Sequence, residues 1–192
     1  MRVITGEYRG RNLKSPPSFD VRPTSDRLRE TLFNVLAPRI FDSRCLDLCA
    51  GSGAIGIEAL SRGASFVTFV ERSRKMCALV EENLDLCCVE DERTEVVMSD
   101  AAGFLRRANR KLATDADAKW DVVFYDPPYA SDYLPVLDEF RASADAPSLL
   151  TDDGVLIVEH HHKKPLPETI GILRRWRVLK QGDSALSFYQ AG

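Results

Sequence analysis

The fold is decided by residues 45–56, which read Cys45-Leu46-Asp47-Leu48-Cys49-Ala50-Gly51-Ser52-Gly53-Ala54-Ile55-Gly56. A short apolar run leads into three glycines with the spacing G-x-G-x-x-G, which is typical of a strand, a ligand-binding turn and a helix. Glu71 stands 20 residues after Gly51, at the predicted end of the second strand, where a carboxylate can bind ribose hydroxyls. A nicotinamide-dependent oxidoreductase has the same two features, so this pair does not decide the cofactor.

Two further acidic residues favour a different cofactor. Asp47 lies inside the first predicted strand, where its carboxylate would repel a pyrophosphate and attract the ammonium group of a methionine moiety. Asp100, after the third predicted strand, can accept a hydrogen bond from an adenine amino group, although a helix cap is an alternative for it. Acids at three successive strand ends therefore favour S-adenosylmethionine. The predicted cofactor contacts from this reasoning are Asp47, Gly51, Ser52, Gly53, Glu71, Asp100 and Ala101.

A candidate catalytic loop follows the fourth predicted strand. Asp126-Pro127-Pro128-Tyr129 comes directly after the apolar run 120–125, at the edge of the sheet where open α/β proteins bind ligands. An exocyclic base amine is a poor nucleophile because its lone pair is delocalised into the ring. The Asp126 carboxylate and the Pro127 carbonyl can accept its N–H groups, two prolines stiffen the loop, and Tyr129 offers a ring for stacking an extruded base. These four residues are predicted to be catalytic.

The rest of the chain predicts one α/β unit with an N-terminal extension. Apolar runs at 45–49, 66–70, 94–98, 120–125 and 154–159 alternate with helical periodicity, which predicts a mostly parallel sheet. Segments 172–180 and 184–190 predict a terminal hairpin with one antiparallel strand. Residues 3–13 predict a short hairpin, and a helix is predicted from a Ser25 cap to about Leu36, ended by Pro38. We divide the chain into an extension, 1–44, and a catalytic domain, 45–192.

The charge is unevenly distributed along the chain. The net charge is −3, but residues 1–44 carry +4 and the remaining 148 carry −7. A basic lobe on an acidic body suits a protein that touches phosphates with one face, although chance clustering gives the same pattern. Five cysteines without a C-x-x-C pair predict reduced, mostly buried thiols, and the lack of a membrane-length or signal-like apolar run predicts a cytoplasmic protein.

Three further blocks resemble a known family. They are Ile4-Thr5-Gly6-Glu7-Tyr8-Arg9-Gly10-Arg11-Asn12-Leu13, then Arg22-Pro23-Thr24-Ser25-Asp26-Arg27-Leu28-Arg29-Glu30-Thr31-Leu32-Phe33-Asn34, and Glu58-Ala59-Leu60-Ser61-Arg62-Gly63-Ala64. Together with the glycine turn and Asp126–Tyr129, they are similar to the RsmD-type 16S ribosomal RNA guanine-N2 methyltransferases, in motif order from residue 2 to about 130. The Asp-Pro-Pro-Tyr motif alone does not separate this family from DNA adenine-N6 methyltransferases; the Arg22–Arg27 block and the N-terminal hairpin do.

The resemblance implies a class I methyltransferase (Rossmann-like) fold with seven strands, one of them reversed, and S-adenosylmethionine as methyl donor. It implies methylation of guanine N2 in small-subunit ribosomal RNA. The expected partner is this RNA in an assembled or assembling particle, with naked RNA as the alternative substrate. Arg9 and Arg11 are expected to bind RNA, and Arg22, Thr24 and Arg27 to lie near the cofactor or the RNA. Cys49 stands where the family often has Phe. The small size makes a monomer the expectation.

The alternatives belong to other classes as well. A DNA or RNA adenine-N6 methyltransferase shares the catalytic motif, a nicotinamide-dependent oxidoreductase shares the glycine turn, and a non-catalytic ribosome-assembly factor would share the fold. The run His160-His161-His162 suggests a metal-binding site as a further hypothesis. Consecutive residues of a strand point to opposite sides, and methyl transfer to an amine needs no metal, so no metal site is predicted.

Overall fold

The computed structural model describes residues 1–16, 26–112, 119–141 and 148–192. Helices and strands alternate through the first two thirds of the chain, and strands follow one another in the last third. The helices are α1 (Asp26–Ile40), α2 (Ala54–Ser61), α3 (Arg74–Cys87), α4 (Ala101–Leu112) and α5 (Leu134–Leu137), with 3₁₀ turns at Asp91–Arg93 and Asp138–Phe140. The strands are β1 (Arg44–Leu48), β2 (Phe66–Glu71), β3 (Thr94–Met98), β4 (Trp120–Tyr125), β5 (Leu150–His161), β6 (Thr169–Ile170), β7 (Leu173–Gln181) and β8 (Ser184–Ala191).

The described strands form one sheet in the order β3-β2-β1-β4-β5-β8-β7-β6. Strands β1 to β5 are mutually parallel, whereas β8 runs antiparallel between β5 and β7. The predicted mostly parallel sheet with a reversed C-terminal strand is confirmed. The two-residue strand β6 was not predicted; it pairs antiparallel with β7 and adds an eighth strand to the seven.

The parallel strands end at one level. Leu48 of β1 pairs with Val70 of β2 and Tyr125 of β4, and Tyr125 pairs in turn with Val158 of β5. Because these residues are in register, whatever follows each of them lies along the same edge of the sheet. The fold therefore brings together side chains that are up to about 110 residues apart in the sequence.

Each face of the sheet packs against its own layer. Alternation along the strands sends Cys45, Phe69 and Phe124 to one hydrophobic cluster, which also contains buried residues of α1, α2 and α3. The other face packs Leu48, Val123 and Leu156 against α4 and α5. This two-sided burial explains why the strands read as continuous apolar runs. No helix among the described residues has the length and apolar character to cross a membrane.

The N-terminal segment is part of the first core layer. Val3, Tyr8 and Leu13 are buried in the same cluster as α1 and α2. The predicted hairpin is reduced to one antiparallel bridge between Arg2 and Asn12, and the residues between them form turns. Amides of the segment donate both across this bridge, as Val3 does to Arg11, and to the body of the protein, as Glu7 does to Ser61.

Helix α1 continues past the residue predicted to end it. Pro38 lies inside the last turn of Asp26–Ile40, so the prediction that it ends the helix is wrong. Proline lacks an amide hydrogen and disfavours the helical conformation of the residue before it, but near a C-terminus few hydrogen bonds remain to be lost. Ile40 is buried in the first core layer, and that burial favours the additional turn. The predicted Ser25 cap lies outside the described residues.

Candidate active site

The turn between β1 and α2 uses each glycine for a different purpose. Gly51 and Gly53 have φ of 57° and 77°, in the left-handed region that residues with a Cβ rarely adopt. Gly56 lies in α2 against β2, where a Cβ would stand 2.2 Å from Cε1 of Phe69. The glycines therefore allow both the tight turn and the close packing of helix on sheet, as the spacing predicts.

Glu71 binds the glycine turn directly. Its Oε2 accepts the amide N–H of Gly51 at 3.1 Å, and its Oε1 accepts that of Ser73 at 2.9 Å. A carboxylate oxygen can accept more than one hydrogen bond, so both oxygens keep capacity for ligand hydroxyls. Glu71 thus orients the turn that begins α2 and the one that begins α3.

Asp47 lies behind the glycine turn and is buried. Its Oδ2 accepts the amide N–H of Gly56 at 3.0 Å, and apolar side chains such as Phe33, Ile55 and Phe124 surround the same small space. Burial raises the pKa of Asp47 to about 7, against the lowering effect of the Gly56 hydrogen bond. A nearby cation would favour the charged form, because opposite charge lowers a carboxyl pKa.

Three carboxylates converge on Cys49. This residue follows β1 with φ of 66°, and burial, followed by the charges of Glu71, Asp126 and Asp47, raises the pKa of its thiol to about 12. The thiol is therefore protonated at neutral pH and acts as a small apolar group. We call Asp47, Glu71 and Asp126 the acidic centre, because their charges act together on this thiol from the ends of β1, β2 and β4, against the opposing charge of Arg72.

Asp100 and Ala101 begin α4 at the same edge. The Asp100 Oδ1 accepts the amide N–H of Gly103 at 2.7 Å, which is a helix N-cap. Asp100 is exposed, and a Cβ on Gly103 would stand 2.5 Å from its Oδ2. The cap interpretation holds for Oδ1, and the cofactor contact stays a prediction.

The Asp126–Tyr129 segment leaves the end of β4 beside β1. The amide of Asp126 lies 3.4 Å from the Leu48 carbonyl, Pro127 is buried and Pro128 is exposed. The carbonyl of Pro128 accepts the amide N–H of Ser131 at 2.8 Å, which closes a turn. The loop therefore has a fixed backbone, and it holds Asp126 one residue beyond the level at which the strands end.

Tyr129 is held by residues that the motif did not indicate. Its hydroxyl lies 2.5 Å from Oγ of Ser184, and its ring packs edge-on against His161 with centroids 5.5 Å apart. The ammonium of Lys164 donates to the Ser131 carbonyl at 2.8 Å and lies over the ring of Tyr133 at 4.6 Å. These contacts join residues more than 30 positions apart, so no local pattern could reveal them.

The N-terminal segment is tied to the glycine turn by Asn83. This fully buried amide donates to the carbonyls of Ser52 at 2.9 Å and Lys14 at 3.1 Å, and accepts the Lys14 amide N–H at 2.8 Å. Glu58 of α2, also buried, accepts the amide N–H groups of Ile4 and Thr5. Sequence reasoning missed both roles: Asn83 carries no local signal, and Glu58 was named only as the first residue of a block that resembles the family.

Two of the four predicted RNA contacts lie together. Arg9 and Arg27 are exposed and line one groove with Arg2, whose rim also includes Asp26 and Glu30. Arg11 is directed elsewhere, and its guanidinium lies 3.4 Å from the Leu86 carbonyl. Arg22 and Thr24 lie outside the described residues.

The histidine run differs from the expected geometry. His160 is buried, and its ring bonds to Oγ of Ser187 at 2.9 Å. His161 and His162, however, stack with centroids 4.9 Å apart and planes 24° apart. The expectation that neighbouring histidines point to opposite sides is wrong for this pair, because β5 ends at His161 and the chain turns at His162.

The strand order and the site define the class I methyltransferase fold. The solved Escherichia coli structure named "Putative methyltransferase yhhF" is 35% identical with a TM-score of 0.83, over 100% of this chain and 97% of its own. The structure of SMU.776 complexed with SAH is 14% identical with a TM-score of 0.69, over 90% of this chain and 50% of its own, and shares the fold alone.

The chain belongs to the family described as Conserved hypothetical protein 95, which matches residues 1–190. The protein named Ribosomal RNA small subunit methyltransferase D of Escherichia coli K12 is 36% identical over 190 residues, covering 99% of this chain and 89% of its own. The Haemophilus influenzae protein of the same name is 35% identical over 198 residues, covering 99% and 92%.

Proposed function

We propose that this protein transfers a methyl group from S-adenosylmethionine to the exocyclic N2 amine of a guanine in small-subunit (16S) ribosomal RNA. The observation that carries the proposal is the position of Asp126. This residue lies one position beyond β4, and together with Asp47 and Glu71 it forms the acidic centre around Cys49. Relatives covering nearly the whole chain are named small-subunit ribosomal RNA methyltransferases, which supports the same substrate class.

The residues at the carboxyl edge fit S-adenosylmethionine. Asp47 supplies negative charge behind the glycine turn, which suits an ammonium group and disfavours a pyrophosphate. Glu71 keeps acceptor capacity for ribose hydroxyls, while Gly51 and Gly53 let the backbone approach a ligand closely. When bound, this cofactor supplies an electrophilic methyl group on a sulfonium. The same acids argue against a dinucleotide and hence against the oxidoreductase alternative.

Asp126 and its loop act on the amine. The carboxylate of Asp126 and the carbonyl of Pro127 accept the N–H groups of the base, which makes the nitrogen lone pair available and stabilises the charge that develops on it. The turn closed by Pro128 and Ser131 keeps both acceptors aimed without reorganisation. Tyr129, fixed by Ser184 and His161, provides the ring on which the extruded base stacks.

The basic groove of the N-terminal extension, residues 1–44, binds the RNA. Arg2, Arg9 and Arg27 line it opposite Asp26 and Glu30, which leaves an excess of one positive charge to attract phosphates. Asn83 and Glu58 link this segment to the glycine turn and to α2, so the groove is held at a fixed distance from the site. The substrate is an assembled or assembling small-subunit particle, the protein acts as a monomer, and the reaction takes place in the cytoplasm.

The test is transfer of label from S-adenosylmethionine to unmodified small-subunit particles, followed by mapping of the methyl group. We expect label on N2 of one guanine, and loss of at least about 100-fold in rate for Asp126→Asn. Asp152→Asn is the matched control, because Asp152 is exposed at the opposite end of β5.

Two results would contradict the proposal. Label on an adenine would assign the adenine-N6 activity instead. A non-catalytic assembly factor would be indicated by two results together. Neither particles nor naked ribosomal RNA would become labelled, and the Asp126→Asn protein would keep every effect that the wild type has in the cell.

A further inference from the structure

His161, His162 and Asp183 form a cluster of donor atoms beside the catalytic loop. One ring nitrogen of each histidine and one carboxylate oxygen of Asp183 all lie within 4.8 Å of one another. We propose that these three side chains form a binding site for a divalent transition-metal cation of the Zn²⁺ class. The site is separate from the proposed methyl transfer and does not rest on it.

Two turns of the chain bring the donors together. Strand β5 ends at His161, and the two-residue loop Gly182-Asp183 joins β7 to β8 directly opposite, since His161 pairs with Ser184. The amide N–H of His162 donates to the Asp183 carbonyl at 2.9 Å, which locks the two segments to each other. The cluster is therefore held by backbone hydrogen bonds and does not depend on long, freely rotating side chains.

The hydrogen bond of the His162 ring prepares it as a ligand. Nδ1 of His162 lies 3.3 Å from the Asp183 carbonyl, so this nitrogen carries the proton and Nε2 presents its lone pair. A ring N–H donated to a backbone carbonyl is the usual support of a metal-binding histidine. In His161, Nδ1 accepts the Lys163 amide N–H at 3.1 Å, so the ring proton is on Nε2. A metal either takes the place of the Lys163 N–H on Nδ1, or binds Nε2 after the proton has moved to Nδ1; both routes cost this hydrogen bond. This exchange makes the affinity moderate.

The donor set selects the class of metal. Imidazole nitrogens suit Zn²⁺, Co²⁺, Ni²⁺ and Cu²⁺, whereas Mg²⁺ and Ca²⁺ require oxygen ligands. Two histidines and one carboxylate leave a fourth position for water in a tetrahedral site. Because His161 also packs against Tyr129, the metal would bind within one side chain of the catalytic loop.

The experiment is a Co²⁺ titration of the full-length apoprotein, followed by its visible absorption spectrum. The variant Cys88→Ser serves as the reference, because Cys88 is an exposed thiol that could bind the metal itself. We expect the intense absorption of four-coordinate Co²⁺ to appear, and to be removed by Zn²⁺. His162→Ala and Asp183→Asn are each expected to weaken binding at least about tenfold.

The controls separate ligand loss from unfolding. Asn at 183 keeps a residue that favours a two-residue hairpin loop, so this variant retains the fold. Lys163→Ala removes a neighbouring charge but no ligand atom, and it should bind Co²⁺ as the reference does. Either of two results would overturn the proposal: the spectrum remains that of hydrated Co²⁺, or none of the ligand substitutions changes the affinity for Co²⁺.

Discussion

Replacing Asp47 with Asn tests how the buried carboxyl controls stability. Asp47 is 3% exposed, and burial raises its pKa from the ordinary 3.8 to about 7. The folded protein therefore holds this proton more tightly than the unfolded chain does. As a result, the Asp47 contribution to the free energy of unfolding falls as pH rises from about 4 to about 7, and is constant above that. Asn cannot ionise and lacks this dependence.

The magnitude follows from the difference between the two pKa values. Each pKa unit corresponds to about 1.4 kcal/mol, so between about pH 5 and about pH 8 the wild type loses about 3 kcal/mol that the Asn variant keeps. The amide of Asn retains an oxygen for the Gly56 N–H but buries an NH₂ group, at a cost of about 1–3 kcal/mol that is the same at both pH values.

Urea unfolding at both pH values measures this difference. The free energy of unfolding of Asp47→Asn minus that of wild type is expected to increase by about 3 kcal/mol from about pH 5 to about pH 8. Asp85→Asn, an exposed position on α3, is the control and should show no such change. A difference that is the same at both pH values would refute the reasoning from burial.

The same pair of proteins tests the proposed role of Asp47 toward the cofactor. At about pH 8, saturating S-adenosylmethionine is expected to raise the free energy of unfolding of the wild type by about 3 kcal/mol at 100 times its Kd, and that of Asp47→Asn much less at the same concentration. Equal stabilisation of both proteins would show that the carboxylate does not contribute to binding.

Three further substitutions address packing and long-range contacts. Gly56→Ala places a methyl group against Phe69 and should lower the free energy of unfolding by about 1–3 kcal/mol in urea, so an unchanged transition would contradict the packing. Asn83→Ala leaves the buried Ser52 carbonyl and two part-buried backbone groups of Lys14 without their partner. A loss of about 2–4 kcal/mol in the free energy of unfolding is expected, and a loss of less than about 1 kcal/mol would refute it. Ser184→Ala removes a hydrogen-bond partner of the Tyr129 hydroxyl and should slow methyl transfer by up to about tenfold, with the free energy of unfolding unchanged. Full activity of this variant would mean that the contact does not position the Tyr129 ring.

Local patterns were sufficient for the parts of the fold that local physics determines. The run at 120–125 matches β4, because a strand buried on both faces is nearly continuously apolar. The run at 94–98 matches β3, an edge strand that is only partly buried. The glycine turn was predictable because a positive φ and a close approach each require glycine. The order of the acids along the chain then placed them at one edge, since parallel strands end together.

The remaining features depend on contacts between distant segments. Pro38 ends a helix by local rules, yet burial of Ile40 carries α1 beyond it. Asn83 and Ser184 gain their roles from residues 31 and 55 positions away, which no window of sequence includes. The stacking of His161 on His162 depends on where β5 ends, and strand ends are the least certain part of any sequence-based prediction.

The position of β8 has a consequence for synthesis of the chain. Residues 184–191 fill the gap between β5 and β7, so neither strand has its full set of partners until β8 has been made. A ribosome adds residues from the N-terminus onward, so the nascent chain exposes the edge of β5 and carries β7 without a place in the sheet. Ser184, the partner of Tyr129, arrives with the same strand. The Asp126–Tyr129 loop therefore gains this contact only after Ser184 has been added, and a chain stalled before that point leaves the edge of β5 open to pairing with other exposed strands.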